Sequence, residues 1–154
     1  MQDSESPTRT YDPHDLDRFV QAQSASYASA ISEIRSGRKR SHWMWYVFPQ
    51  IDGLGSSATT KRYSIKSVAE AEAYLRHPVL GPRLSECFEA VLAVEGRSAL
   101  EIFGPVDEMK LHSCATLFAR VCPSGSVFER ILEKYFRGEG DGKTLRLLGI
   151  SEAP

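Results

Sequence analysis

RKRSHWMWYVFPQIDGLGSS, residues 38–57, is the stretch on whose reading the fold turns. It packs three consecutive cations, His42, two tryptophans, Tyr46, Phe48, Gln50, two glycines and two serines into one short run. Residues 42–48 are apolar on every side, so hydrophobic periodicity does not separate a buried helical turn from a buried strand. We read a short helix, with Ser41 able to cap it and Pro49 curtailing it. A buried indole N–H must find a hydrogen-bond partner. Trp43 and Trp45 beside His42 and Tyr46 therefore imply a polar-lined cavity or a wet core. The glycines of residues 51–60 allow a tight, open backbone whose amides can turn toward a ligand. Lys61, Arg62 and Tyr63 close this segment.

Toward the N-terminus, residues 1–11 read as a flexible tail rich in Ser, Asp, Glu and Thr. Asp12 reads as a helix N-cap, with Pro13 in the first helical position. Leu16, Phe19, Val20, Tyr27, Ile31 and Ile34 then recur at helical spacing, predicting one helix that ends near Gly37. Toward the C-terminus, Ser67 with Glu70 forms a capping-box pattern. The helix it opens breaks at His77-Pro78, and the next becomes regular near Leu84 and stops at Gly96. Ser98 caps a short segment ended by Gly104-Pro105, and Asp107 caps the helix that follows. Ser126 with Glu129 is a second box pattern, and residues 138–149 turn and offer Leu145, Leu147 and Leu148 to the core. No two strand-like runs are joined by a convincing turn. The expected fold is mainly α: a compact single-domain bundle of about six to seven helices, some short, over residues 12–150.

With 154 residues, 42% hydrophobic and 25% charged, the chain has globular composition and enough length for one real core. A net charge of −1 excludes the global basic field on which bulk nucleic-acid binding relies. No apolar run reaches the roughly 18 residues of a membrane span. The polar N-terminus has no secretory h-region, and three cysteines without CxxC spacing fit reduced thiols. A cytoplasmic location is expected, with no metal and no cofactor.

Two constellations can carry chemistry. In the first, Gly53, Gly55, Ser56 and Ser57 can present amides and hydroxyls to a phosphate or carboxylate, with Lys39 among the flanking cations. It is not a Walker loop, because the Gly-Lys-Ser/Thr ending is absent. The bland reading is a connecting loop beside solvated cations. Trp43 and Trp45 can stack a planar ring, with His42 as proton donor or orienting group; the bland reading is a core helix. Gln50 either satisfies loop backbone or reads a ligand. The second constellation is Asp107, Glu108, Lys110, His112 and Ser113. Glu108 and His112 lie four apart on one helical face, which suits acid/base work but also plain surface pairing. His112 and Cys114 have no partner pair at metal-binding spacing.

The run HWMW at 42–45, FPQ at 48–50 and GLGSS at 53–57 resembles a bacterial family of unknown function, number eighteen-ten, some of whose members carry the label calpastatin. The likeness continues through Tyr63-Ser64-Ile65, residues 71–84, Ile102-Phe103-Gly104, residues 107–113 and Thr116-Leu117-Phe118. It implies a small, mainly helical fold and no established activity. A looser analogy connects the chain to small helical N-glycosidases linked to ADP-ribose.

The expectation is a domain that binds, and as an enzyme would hydrolyse, a phosphorylated, ring-bearing small molecule such as a nucleotide or ADP-ribose derivative. Lys39, Gly53, Gly55, Ser56 and Ser57 would hold the phosphate. Trp43 or Trp45 would stack the ring, Gln50 would read it, and His42, Lys110 and Asp107 would stand near the reacting bond. The alternative is a non-catalytic module that uses the HWMW stretch to dock a protein or to form a homodimer.

Overall fold

The computed structural model describes residues 11–150; the tail assigned to residues 1–11 lies outside them apart from Tyr11. The described residues form nine helices. Their one trace of β pairing is an isolated parallel bridge between Ile51 and Ile65. No helix among them is long and apolar enough to cross a membrane.

The first expected helix is two: α1, Asp17–Ser24, and α2, Tyr27–Arg35. Asp12 does cap, but from a distance. Its Oδ1 accepts the Leu16 amide at 2.8 Å and its Oδ2 the Asp17 amide at 3.1 Å. The helix thus starts four residues after Pro13, past Asp15, whose φ of 51° is not helical. The break at residues 25–26 sets Gln23 and Ser26 against Tyr46: Gln23 Nε2 donates to the Tyr46 carbonyl at 2.8 Å, and the Ser26 and Tyr46 hydroxyls pair at 2.8 Å.

Helices α3, Met44–Val47, and α4, Ala58–Arg62, are single turns. The tryptophan stretch is therefore helical, as its length and Pro49 suggested. Ser41 does not cap it, because its hydroxyl donates to Glu33 instead. Then come α5, Val68–Arg76, and α6, Leu80–Ala93. Helix α6 begins four residues earlier than Gly81-Pro82 implied. Gly81 is needed there for a close crossing: a Cβ on it would stand 2.1 Å from the Leu75 carbonyl oxygen of α5.

Helix α7, Ala99–Arg120, is interrupted at Gly104 by φ 84° and ψ 166°, so the expected Gly-Pro break is real. The reciprocal capping box forms at its start, between Ser98 and Glu101. It does not form at the two places expected, because the carboxylates there are drawn elsewhere: Glu70 to Arg18 and to the Lys66 amide, Glu129 to the Gly125 amide. Helices α8, Val127–Phe136, and α9, Gly142–Leu147, complete the chain. In α9 the buried residue is Thr144, and Leu147 is half exposed.

Helix α6 packs against α2, α5 and α8, and α7 against α3, α8 and α9. A relay of rings runs through this core. Phe103 meets Phe48, Phe48 meets Phe88 edge-on at 5.0 Å, and Phe88 meets Phe128 at 4.9 Å. Phe118, Tyr74 and Phe19 extend it to α1. Edge-on pairs of this kind add about 0.5–1.5 kcal/mol each beyond area burial. Trp43, Met44, Val47, Phe48 and Ile51 are all buried members of this cluster. The stretch that set the fold is its centre.

Candidate functional site

The loop between α2 and α3 carries Lys39, and Glu33 of α2 shapes that loop. Its Oε1 accepts the Arg40 amide at 2.8 Å, the Ser41 amide at 3.0 Å and the Trp43 indole N–H at 2.9 Å, while Oε2 takes the Ser41 hydroxyl. Burial works to raise the Glu33 carboxyl, but donation from the Ser41 hydroxyl, the Arg40 and Ser41 amides and the indole holds it down at about 2. The buried tryptophan has the polar partner that such burial demands. Glu33 was not singled out from sequence, because its partners follow it by seven to ten residues, outside any helical spacing.

With the loop so held, the Lys39 amide donates to the Ile102 carbonyl at 2.8 Å. The Lys39 side chain, only 8% exposed, crosses the Trp43 ring with Nζ 5.0 Å from its centre and pairs with Asp107 Oδ2 at 2.9 Å. Asp107 is not the N-cap that its sequence position suggested. The Gly104 break and Pro105 restart the helix earlier, which leaves the Asp107 carboxylate in the first turn, free to face lysines. Lys110 Nζ reaches Asp107 Oδ1 at 3.3 Å and stands 5.8 Å from the centre of the Trp45 ring. Two ammonium groups thus share one carboxylate in a mostly buried setting, leaving one net positive charge. Both Asp107 oxygens are engaged by cations, which suits an anchor better than a general base.

Lys110 opens onto a groove of about 190 Å³. Leu54 and Gly55 of the loop after α3 and Thr60 of α4 line it with Val106 and Met109 of α7, and Gln50 completes the lining. Leu54, Thr60, Val106 and Met109 were missed from sequence. The one available signal was the Gly104-Pro105 break, which puts Val106, Met109 and Lys110 on the opening turns of a new helix.

Of the candidates, Lys39, Asp107 and Lys110 come together, and Lys110, Gln50 and Gly55 share the groove. Trp45 supports the Lys110 ammonium and lines a narrow cleft with Gln50, Thr60 and Tyr63. Trp43, 1% exposed, is a core residue whose face serves Lys39, so it offers no ring to a ligand. His42 is exposed and its ring contacts none of the lysines or Asp107 among the described residues. Ser57 is spent as the cap of α4, its hydroxyl accepting the Thr60 amide at 3.1 Å, and Ser56 is exposed outside the groove. The two glycines serve packing: Gly53, with φ 108°, lies against Leu147, and a Cβ on Gly55 would stand 2.8 Å from Thr60 Cγ2. In the second constellation His112 turns from Glu108, stacks on Phe136 at 4.0 Å and meets the Glu139 carbonyl at 2.8 Å. Cys114 is fully buried and its thiol is pushed well up by that burial, which disqualifies it as a nucleophile.

Two roomier hollows lie elsewhere. One, about 490 Å³, is lined by Arg18, Arg62, Lys66 and Glu70. All five Arg18 donors there are already used, on four carbonyls and on Glu70. The other, about 310 Å³, sets Arg120 against Glu129 and Glu133, a net negative lining that repels anions.

The model of a family described as "Protein of unknown function (DUF1810)" matches residues 13–148. The chain is 54% identical to the conserved hypothetical protein Rv1873 from Mycobacterium tuberculosis, whose crystal structure superposes with a TM-score of 0.88, covering 91% of this chain and 100% of that one. No curated protein matches. The chain belongs to the DUF1810 family.

Proposed function

We propose that this DUF1810 protein binds a small, anionic, ring-bearing molecule such as a nucleotide or ADP-ribose derivative in the groove beside Lys110. The observation that carries the reading is the Lys39–Asp107–Lys110 cluster at the edge of that groove. A cluster with one unbalanced positive charge, mostly withdrawn from water, favours an anion more strongly than a solvated lysine does. Leu54, Val106 and Met109 offer apolar contact to the flat faces of a ring. The groove of about 190 Å³ is below the roughly 300–1,000 Å³ that encloses a whole drug-sized ligand. It suits one ring, with the anionic group held at Lys110. His42 stands apart and Asp107 is doubly paired, so the reading is of binding rather than hydrolysis. The three free thiols fit a cytoplasmic setting.

The test is thermal unfolding with nucleoside monophosphates, ADP-ribose and inorganic phosphate, on the wild type and on Lys110→Met. Ligand at a hundred times its Kd adds about 2.7 kcal/mol, which for a chain this size raises Tm by about 5–10 °C. A nucleotide should do so for the wild type and not for the variant. A wild type that no nucleotide stabilises at millimolar concentration refutes the proposal.

One observation favours an interaction module instead: Val106 and Met109 of α7, which share the groove, are 65% and 68% exposed. Such a module would use this face rather than the HWMW stretch, whose Trp43 and Met44 are buried. Light scattering at rising concentration distinguishes a dimer from a monomeric binder.

A further inference from the structure

We infer that the hollow of about 310 Å³ formed by α7, α8 and α9 binds a basic amino acid, at a site separate from the groove beside Lys110. Its volume lies at the lower end of the roughly 300–1,000 Å³ of small-molecule sites. Ala119 of α7, Leu132 of α8 and Leu145 of α9 give it an apolar lining. Three charged side chains join them: Arg120, the last residue of α7, and Glu129 and Glu133 of α8. The two glutamates are four residues apart, so they share one face of α8 with Cβ atoms about 5–6 Å apart. Like charges at that spacing repel. The neighbouring cations of α8 do not relieve them, because both turn to α6: Arg130 reaches Glu89 at 3.2 Å, and Lys134 donates to the Leu92 carbonyl at 2.6 Å.

Nor does Arg120 relieve them. Among the described residues its side chain makes no hydrogen bond and no ion pair, and neither glutamate has an ion-pair partner. Glu129 Oε1 accepts the Gly125 amide at 2.7 Å, which leaves its second oxygen, and the Glu133 carboxylate keeps both. Thr116, the remaining polar side chain of the lining with a hydroxyl, is spent: it donates to the His112 carbonyl and accepts the Asp141 amide, each at 2.8 Å. Recognition therefore falls to one positive and two negative groups around an apolar surface. The complement is one carboxylate and two cationic groups joined by methylenes, which is a basic amino acid. Its carboxylate meets the Arg120 guanidinium in the two-pronged geometry that pair favours. Its α-ammonium and side-chain cation meet the two glutamates, and its methylenes lie on Leu132 and Leu145. A plain amine leaves Arg120 unmatched, and a neutral amino acid leaves a glutamate unmatched. Arg120 and Glu133 are exposed, so each pair is weak alone, and selectivity comes from meeting all three charges at once.

Calorimetry on the full chain tests this with L-ornithine, L-lysine and L-arginine, each beside its decarboxylated amine (putrescine, cadaverine, agmatine) and its Nα-acetyl form. At least one of the three amino acids should bind, and both of its truncated forms should bind about fivefold more weakly or worse, the value of one lost charge partner. Arg120→Met should narrow the preference for the amino acid over its amine to within about twofold. Glu133→Gln should weaken the amino acid and its amine by similar factors, with an unchanged urea midpoint showing that the fold is intact. Failure of all three amino acids to bind at millimolar concentration overturns the inference and leaves the reading at Lys110 untouched. Equal binding of the amino acid and its amine by the wild type overturns it without any variant. A preference that survives in Arg120→Met, or an affinity unmoved in Glu133→Gln, overturns it as well.

Discussion

Replacing Glu33 with glutamine should cost about 1–2 kcal/mol at neutral pH, with a loss that fades in acid. The carboxylate gathers four donors, and its pKa falls from an ordinary 4.5 to about 2. A separation of that size is linked to about 3 kcal/mol of folding free energy. Glu33 is partly exposed, and solvent screening reduces the figure to about 1–2 kcal/mol. Because the folded-state value is the lower one, the stabilisation is complete above about pH 4.5 and disappears as pH falls toward 2. Glutamine keeps an acceptor oxygen for the Arg40 and Ser41 amides and the Trp43 indole, so the variant isolates the charge from the shape. Urea unfolding followed by tryptophan fluorescence, at pH 7, 5 and 3, should show a gap between wild type and Glu33→Gln that is widest at pH 7 and shrinks to roughly two-fifths of that at pH 3. Equal stability at pH 7, or a gap unchanged between pH 5 and pH 3, would refute the assignment of Glu33 as the charged hub of the Lys39 loop.

Two other substitutions probe the frame around the site. Gly81→Ala should cost more than about 3 kcal/mol or prevent folding, since its methyl would stand 2.1 Å from the Leu75 carbonyl and force α5 from α6. Gly96→Ala, where nothing lies within 4 Å but φ is 74°, should cost only about 1 kcal/mol; urea midpoints rank the two, and a smaller effect at Gly81 would be fatal to the close-crossing account. Arg18→Met should cost about 3–5 kcal/mol, because Glu70, 2% exposed, and four carbonyls lose their donor together; a loss under about 1 kcal/mol by the same measurement would show that water replaces the guanidinium.

The helical class was legible because caps and periodicity agree along most of the chain: Ser67, Ser98, Ser126 and Gly104 mark real boundaries. Periodicity could not show the break between α1 and α2. Apolar spacing runs through it undisturbed, and what stabilises the break is Tyr46, twenty residues away from Ser26. Gly81-Pro82 misled for a related reason. Both look like breakers, yet proline is tolerated in a first turn, and the glycine answers to a neighbouring helix. At the site, the sequence identified Lys39, Asp107 and Lys110 as candidates but not their shared carboxylate, which depends on a contact across 68 residues of chain. The tryptophans were legible as chemistry and not as location. An indole buried under a lysine and one half-open beside another look alike in one dimension.

The bridge between Ile51 and Ile65 closes a neck: the Asp52 amide meets the Ile65 carbonyl at 2.8 Å, and Arg18 clasps the carbonyls of Arg62 and Ser64 from below. Leu54, Gly55 and Thr60 lie between, and Tyr63 moors the segment to the interior through Phe19 and Tyr46. One side of the groove is thus a tethered loop, while Val106, Met109 and Lys110 on the opposite side are welded into α7. Exchange of Leu54 or Thr60 reshapes what the groove admits without replacing a ring of the relay that keeps the chain folded.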